Sequence, residues 1–250
     1  MSKRLVIVGG VAGGASAAAK ARRTNEDIEI VMFESGPYMS FANCGLPYYV
    51  GGEIDSRDKL FVTHPQVFHK RFRIDVRLNT TVTEVRPAVQ EVTYVGPDGQ
   101  DKVLKYDRLI LSTGTVPIKL PIEGIDAPHI YACRTVMDVD AITERIQQML
   151  PFKNEESHNP ETGRLLTGEE SGVDALVIGG GFIGLECTEQ LLQRGIKVVL
   201  VEALDQIMSP LDKEMTVLLQ QALEKKGAEI ILGDLVEGFD HSGTRSRALR

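Results

Sequence analysis

The chain has no tryptophan, only three cysteines and no long apolar run, and each shortage narrows what it can be. Cysteines at 44, 133 and 187 make an odd count without the spacing of a disulfide framework or a metal knuckle. They read as thiols of a reducing compartment, so a cytoplasmic protein without a metal centre is expected. No stretch approaches the roughly 20 apolar residues of a membrane helix, so no membrane partner is expected. Residues 5–10 form a short strand-like run rather than the apolar core of a signal peptide. Basic residues are the minority, 28 Lys and Arg against 35 Asp and Glu, which argues against nucleic acid as a partner. The first 25 residues reverse that balance, carrying Lys3, Arg4, Lys20, Arg22 and Arg23 and no acid. With 250 residues, 42% of them hydrophobic, the chain can build one or two domains.

What is present is a pattern that occurs twice. Residues 5–8 are a short apolar strand running into a glycine cluster, a small-residue helix follows over about 13–23, and residues 28–33 are a second strand ending on Glu34. Residues 174–178 open a second glycine cluster, a helix runs to Arg194 with Gly195 as its cap, and residues 197–201 form the next strand. The two β-turn-α-β starts lie about 170 residues apart. Between them, residues 91–95 and 103–106 flank Gly96-Pro97-Asp98-Gly99, a hairpin signal, and residues 108–112 close on Thr113-Gly114. An amphipathic helix is predicted over 138–150, with Val139, Ile142, Ile146 and Met149 on one face and Pro151 as its stop. Another is predicted over 212–226, burying Met215, Leu218, Leu219 and Ala222 and capped by Gly227, with a strand at 228–232 after it.

The implied fold class is α/β, with two Rossmann-like dinucleotide-binding units. The expected division is a first nucleotide domain over 1–116, a connector over 117–151, a polar insertion over 152–172 with five glutamates and no period, a second nucleotide domain over 173–240, and an unpatterned basic tail over 241–250. A doubly wound sheet beginning at residue 174 needs more strands than follow it, so the chain reads as part of a longer protein.

The second cluster, Gly179-Gly180-Gly181-Phe182-Ile183-Gly184, fits G-x-G-x-x-G between a strand and a helix. Gly179 permits the tight turn, Gly181 the approach of a pyrophosphate, and Gly184 close packing of helix on strand. The helix start, at Ile183 and its neighbours, offers N–H groups and a positive dipole end to phosphate. Glu202 ends the following strand, where a carboxylate accepts from ribose hydroxyls and repels a 2′-phosphate; no Arg or Lys occurs over 203–208. NADH is therefore expected in preference to NADPH. In the first cluster, Gly9-Gly10-Val11-Ala12-Gly13-Gly14, Gly9 and Gly14 hold the outer glycine positions, but Val11 stands where the middle glycine belongs. A glycine cluster alone can be no more than a turn. Strand, helix and terminal acid in register make both clusters dinucleotide sites.

Cys133 and Cys187 read as small core residues. Cys44 does not. It sits in Ser40-Phe41-Ala42-Asn43-Cys44-Gly45-Leu46-Pro47-Tyr48-Tyr49, with polar flanks and a Gly-Leu-Pro turn after it, which places the thiol at a helix start that favours thiolate. This run, with residues 9–14 and 179–186, resembles the single-cysteine branch of the pyridine nucleotide–disulfide oxidoreductases over residues 3 to about 239. Coenzyme A-disulfide reductases are the nearest likeness, and NADH oxidases, NADH peroxidases and persulfide reductases are related. Two-cysteine members carry C-x-x-x-x-C. Here the second position is Tyr49, so Cys44 must cycle through a mixed disulfide, a persulfide or a sulfenic acid.

The resemblance implies FAD at the first cluster and NADH at the second, with Thr113 and Gly114 on the flavin-side loop and Val82 at the adenine. It also implies a homodimer, assembled through later sequence. The family's coenzyme A positions fall on Ser16, Lys20, Arg23, Ser40 and Asn43. A further basic position falls on Phe72, between Arg71 and Arg73. Ser16, Lys20 and Arg23 are spaced i, i+4 and i+7 and share a helix face. The leading expectation is reduction of a small-molecule disulfide, coenzyme A disulfide or persulfide, through Cys44. The alternatives are an NADH oxidase or peroxidase working through a Cys44 sulfenic acid, and an inactive nucleotide-binding fragment.

Overall fold

A computed structural model describes residues 3–149, 174–240 and 247–249. The expected insertion at 152–172 and most of the expected tail lie outside them. In chain order the elements are β1 (Arg4–Val8), α1 (Ala12–Thr24), β2 (Glu29–Phe33), a 3₁₀ turn at Asn43–Gly45, α2 (Leu46–Gly51), α3 (Pro65–Phe72) and β3 (Ile74–Arg77). Then come β4 (Thr81–Arg86), β5 (Glu91–Val95), β6 (Asp101–Lys105), β7 (Arg108–Leu111) and α4 (Val136–Met149). The last are β8 (Asp174–Ile178), α5 (Phe182–Gln193), β9 (Lys197–Glu202), α6 (Lys213–Lys225), β10 (Glu229–Leu232), β11 (Gly238–Asp240) and β12 (Arg247–Leu249). Among the described residues no helix is long and apolar enough to cross a membrane.

The chain forms two compact units: Met1–Ala42 with Asp58–Val116, and Asn43–Arg57 with Pro117–Arg250. In the first, a parallel sheet has the order β3-β2-β1-β7. Strand alternation divides its apolar residues between two cores. Leu5, Ile7, Ile30, Met32 and Ile74 face Ala15 and Ala18 of α1 and Phe68 of α3. Val6, Val31 and Phe33 face the other way and pack with Val92, from the antiparallel meander β4-β5-β6. Burial on both faces explains why β1 is a continuous apolar run. The small residues of α1 let the helix lie close on that sheet. Its last turn is pinned by buried Arg22, whose guanidinium donates to the carbonyls of Phe72 at 2.6 Å, Glu26 at 2.6 Å and Arg73 at 3.1 Å.

The second unit repeats the start of this plan, with a parallel sheet of order β10-β9-β8. Val198, Leu200 and Val201 of β9 are buried in it. Helix α4 begins two residues earlier than its apolar period suggests. The Asp138 carboxylate accepts the N–H groups of Arg134 and Thr135, and the Thr135 hydroxyl accepts that of Asp138. This reciprocal cap fixes the start. Val139 and Ile146 are buried as expected and Ile142 is half-buried, while the Met149 side chain lies outside the described residues.

Two expectations fail. Helix α6 buries Thr216 and Leu223, not Met215, Leu218, Leu219 and Ala222; Leu218 is 70% exposed. Hydrophobic spacing marks an apolar face but not the neighbour that covers it, and among the described residues none lies over this one. The region after Asp240, read as unpatterned, contains β12, paired antiparallel with β11. Three residues are too few to display alternation.

Candidate functional site

In the first unit the loops leaving β1, β2 and β7 meet at the C-terminal edge of the parallel sheet, where such folds bind ligands. Gly9 has φ +102°, and its N–H donates to the Phe33 carbonyl at 2.8 Å. A Cβ on Gly9 would lie 2.0 Å from the Ser112 carbonyl oxygen, and one on Gly14 1.7 Å from the Gly9 carbonyl oxygen. Strand, turn and helix are thus packed backbone against backbone. Val11 precedes α1 with φ −88°, so the middle position of the motif needs no left-handed backbone and accepts a side chain. Ala12 and Gly13 are exposed in the first turn, which contains no acid and receives no side-chain cap. Glu34 Oε2 accepts the Gly10 N–H at 2.7 Å and Oε1 the Gly36 N–H at 2.8 Å. Thr113 and Gly114 are exposed just beyond Ser112, whose own N–H donates to Val8 at 2.7 Å. Val82, half-buried on β4, pairs with Tyr94 and packs against the Phe33 side of the sheet.

The second glycine turn reproduces the first almost atom for atom. Gly179 has φ +100° and donates to the Val201 carbonyl at 2.8 Å; a Cβ on Gly184 would lie 1.9 Å from the Gly179 carbonyl oxygen. Glu202 Oε2 accepts the Gly180 N–H at 2.6 Å and Oε1 the Leu204 N–H at 2.9 Å. The duplication runs beyond the motif. Ser40 donates its N–H to the Gly10 carbonyl at 2.9 Å, and Met208 donates to Gly180 at 2.8 Å. Both residues have φ +48°, and each follows a fully buried apolar residue, Met39 or Ile207.

These features fit a dinucleotide in each unit. The space a Cβ of Gly181 would enter is open, and Ile183 is exposed on the uncapped first turn of α5. Each glutamate oxygen accepts one backbone N–H, which leaves lone pairs for ribose hydroxyls. Holding the acid by the turn it serves also fixes where those lone pairs point. Gly10, Gly180 and Ser112 belong to the two sites although sequence reasoning did not single them out. The first two occur inside the quoted motifs, whereas nothing in the sequence marks Ser112.

Cys44 belongs to the second unit, exposed in the 3₁₀ turn that leads into α2, with half-buried Asn43 beside it. Helix α2 lies close on α5: a Cβ on Gly51 would come within 1.7 Å of Gln190 Oε1, and Gln190 Nε2 donates to Glu53 at 3.0 Å. A forked Arg57–Asp140 pair, 2.8–2.9 Å, joins the end of this segment to α4. The charge of Glu186 foremost raises the pKa of the Tyr48 hydroxyl, and Cys44 adds to the effect. Burial, then Asp140, does the same for Tyr49. Tyr48 and Glu186 are therefore neighbours of the cysteine site that the sequence reading quoted only as motif letters. Of the residues expected to bind coenzyme A, Ser16, Lys20 and Arg23 are exposed on α1 of the first unit. Ser40 is buried in the same unit, and Asn43 lies with Cys44 in the second. Cys133 and Cys187 are not core thiols as expected. Both are half-buried.

Known proteins share this arrangement. The chain is 33% identical over 241 residues to the coenzyme A disulfide reductase of Staphylococcus haemolyticus, a match covering 96% of the chain and 49% of that relative. It superposes on the crystal structure of reduced Bacillus anthracis CoADR-RHD with a TM-score of 0.85 and 38% identity, covering 99% of the chain and 41% of that protein. A NAD-dependent persulfide reductase from A. fulgidus gives a TM-score of 0.86 and 32% identity over 98% of the chain and 42% of its own length. The chain thus spans about half the length of the relatives it matches. With the pyridine nucleotide-disulphide oxidoreductase family model matching residues 3–249, the chain belongs to that family.

Proposed function

We propose that this chain is the nucleotide-binding and cysteine-bearing part of an NADH-dependent flavoprotein that reduces coenzyme A disulfide, or a coenzyme A persulfide, in the cytoplasm as a homodimer. The observation that carries the reading is Cys44, an exposed thiol on a turn docked to the helix of the second glycine cluster, with Tyr49 where a two-cysteine reductase has its partner sulfur. FAD is assigned to the turn at Gly9–Gly14, to Glu34, Thr113 and Gly114, and to Val82 at the adenine. NADH is assigned to Gly179, Gly181, Ile183, Gly184 and Glu202. The two cofactors, when bound, supply hydride and electron transfer.

The chain's own chemistry is sulfur exchange. The Cys44 thiolate attacks one sulfur of the disulfide and expels one coenzyme A thiolate, keeping the other coenzyme A as a mixed disulfide. Two electrons and a proton then restore Cys44 and release the second thiol. The charge of Glu186 foremost raises the pKa of the Tyr48 hydroxyl, which keeps it protonated. Lys20 and Arg23 are assigned to the substrate's phosphates, Arg as a fork and Lys as a point charge. An acceptor as small as peroxide needs neither.

The double substitution Lys20→Ala, Arg23→Ala therefore tests the substrate. Steady-state kinetics should show KM for coenzyme A disulfide rising at least about tenfold, about 1.4 kcal/mol, while reduction of bound flavin by NADH stays near normal. Unchanged coenzyme A-disulfide kinetics, or brisk peroxide turnover with none on the disulfide, would favour a sulfenic-acid oxidase or peroxidase instead.

A further inference from the structure

The segment that carries Cys44 is anchored at the far end of a short helix, and one buried side chain makes the anchor. Helix α2 begins two residues after Cys44 and turns Leu46, Pro47 and Val50 into the protein. Its last residue, Gly51, rests on α5 at Gln190, which is polar yet only 1% exposed. Gln190 Nε2 donates to Glu53 at 3.0 Å, just past the helix, while its Oε1 meets no donor among the described residues. A buried acceptor without a donor lowers stability, and an apolar side chain in this place would carry no such penalty. What the amide supplies is a fixed seat. One end grips Glu53 and the other lies against Gly51.

We infer, given the reductase reading, that Gln190 is a positioning residue for Cys44: through Gly51 and Glu53 it sets how α2 sits on α5, and so where the thiol is held. The contact leaves no slack. A Cβ on Gly51 would lie 1.7 Å from Gln190 Oε1, 2.7 Å from its Cδ and 2.9 Å from its Cβ. The amide can swing clear of the first two contacts only by releasing Glu53, and the third involves the fixed root of the side chain. Alanine at position 51 therefore displaces α2 by on the order of 1 Å before atoms reach contact distance. Beyond the helix the chain is closed, because Ile54 donates its N–H to the Tyr48 carbonyl at 3.1 Å and Arg57 is forked on Asp140 at 2.8–2.9 Å. The shift is thus passed towards Cys44, along a helix of six residues that spans about 9 Å. Where a reaction depends on alignment, a misplacement of about 1 Å costs about 10²-fold.

The test compares flavin-loaded variants mixed with coenzyme A disulfide in the absence of NADH, with uptake on Cys44 timed by quenched mass spectrometry. Gly51→Ala should take up coenzyme A about 10²-fold more slowly than the unaltered chain, while its flavin is reduced by NADH at a near-normal rate. Adding Gln190→Ala removes the two nearest atoms of the clash and should regain at least about tenfold, the coupling of side chains in contact. Should the crowded variant not fold, Glu53→Ala reads the same seat from an exposed position. It should slow uptake, and Glu53→Gln, which still accepts from Gln190 Nε2, should restore it. A lower thermal midpoint without slower uptake would overturn the inference, because the seat would then hold the fold and not the sulfur. So would a double variant no faster than Gly51→Ala. No uptake by the unaltered chain would instead defeat the reductase reading, and the role of Gln190 with it.

Discussion

Cys44→Ser protein is expected to lose disulfide reduction by roughly 10³-fold or more, the scale of removing a covalent nucleophile, while its bound flavin is still bleached by NADH. A serine hydroxyl cannot form a disulfide and is hardly ionised at neutral pH, so no other group in the segment replaces the sulfur. The turns around Gly9 and Gly179, and the acids Glu34 and Glu202 that those turns hold, do not involve Cys44. Cofactor affinity therefore should not follow sulfur chemistry. Anaerobic absorbance spectra with NADH, followed by turnover with coenzyme A disulfide, separate the two. Undiminished turnover would remove Cys44 from its role, and loss of flavin would make the cysteine structural.

The second large effect is expected at Gly9, and the duplicated turn supplies its control. Gly9 and Gly179 share almost the same left-handed backbone, φ +102° and +100°. Alanine there costs about 1–2 kcal/mol in strain at either site. The surroundings differ. A Cβ on Gly9 meets the Ser112 carbonyl at 2.0 Å, whereas one on Gly179 meets nothing within 4 Å. The reason is topological: β7 lies beside β1 and carries Ser112 to the turn, but among the described residues no strand flanks β8 on that side. The clash adds about 1–3 kcal/mol. Gly9→Ala should thus lower the thermal midpoint well beyond Gly179→Ala and release flavin on desalting. Equal destabilisation by the two changes would mean that crowding by Ser112 is not what demands glycine at position 9.

The contrast between those glycines also shows what a sequence can disclose. Both β-turn-α-β starts, their terminal glutamates and the hairpin around Gly96–Gly99 are legible because each is coded by neighbours in the chain. A glycine that needs positive φ, a strand that alternates and an acid one strand further on are local facts. The Ser112–Gly9 approach and the seat of α2 on α5 are not local. They join residues separated by about a hundred and about 140 positions, and no period or motif reports such a meeting. The same limit explains α6: its spacing shows an apolar face at Met215, Leu218 and Leu219, yet packing turns Thr216 and Leu223 inward. Ser40 lies between the two cases. Its identity appears in the cysteine motif, but its left-handed backbone and its likeness to Met208 emerge only when the two turns are compared in space.

The central claim is that Cys44 carries coenzyme A during turnover. The most direct measurement is intact and peptide mass spectrometry of flavin-loaded protein after coenzyme A disulfide is added without NADH. One coenzyme A on Cys44, discharged as free thiol when NADH follows, is the predicted result. A Cys44 that stays unmodified by coenzyme A disulfide but becomes a sulfenic acid with peroxide would contradict it.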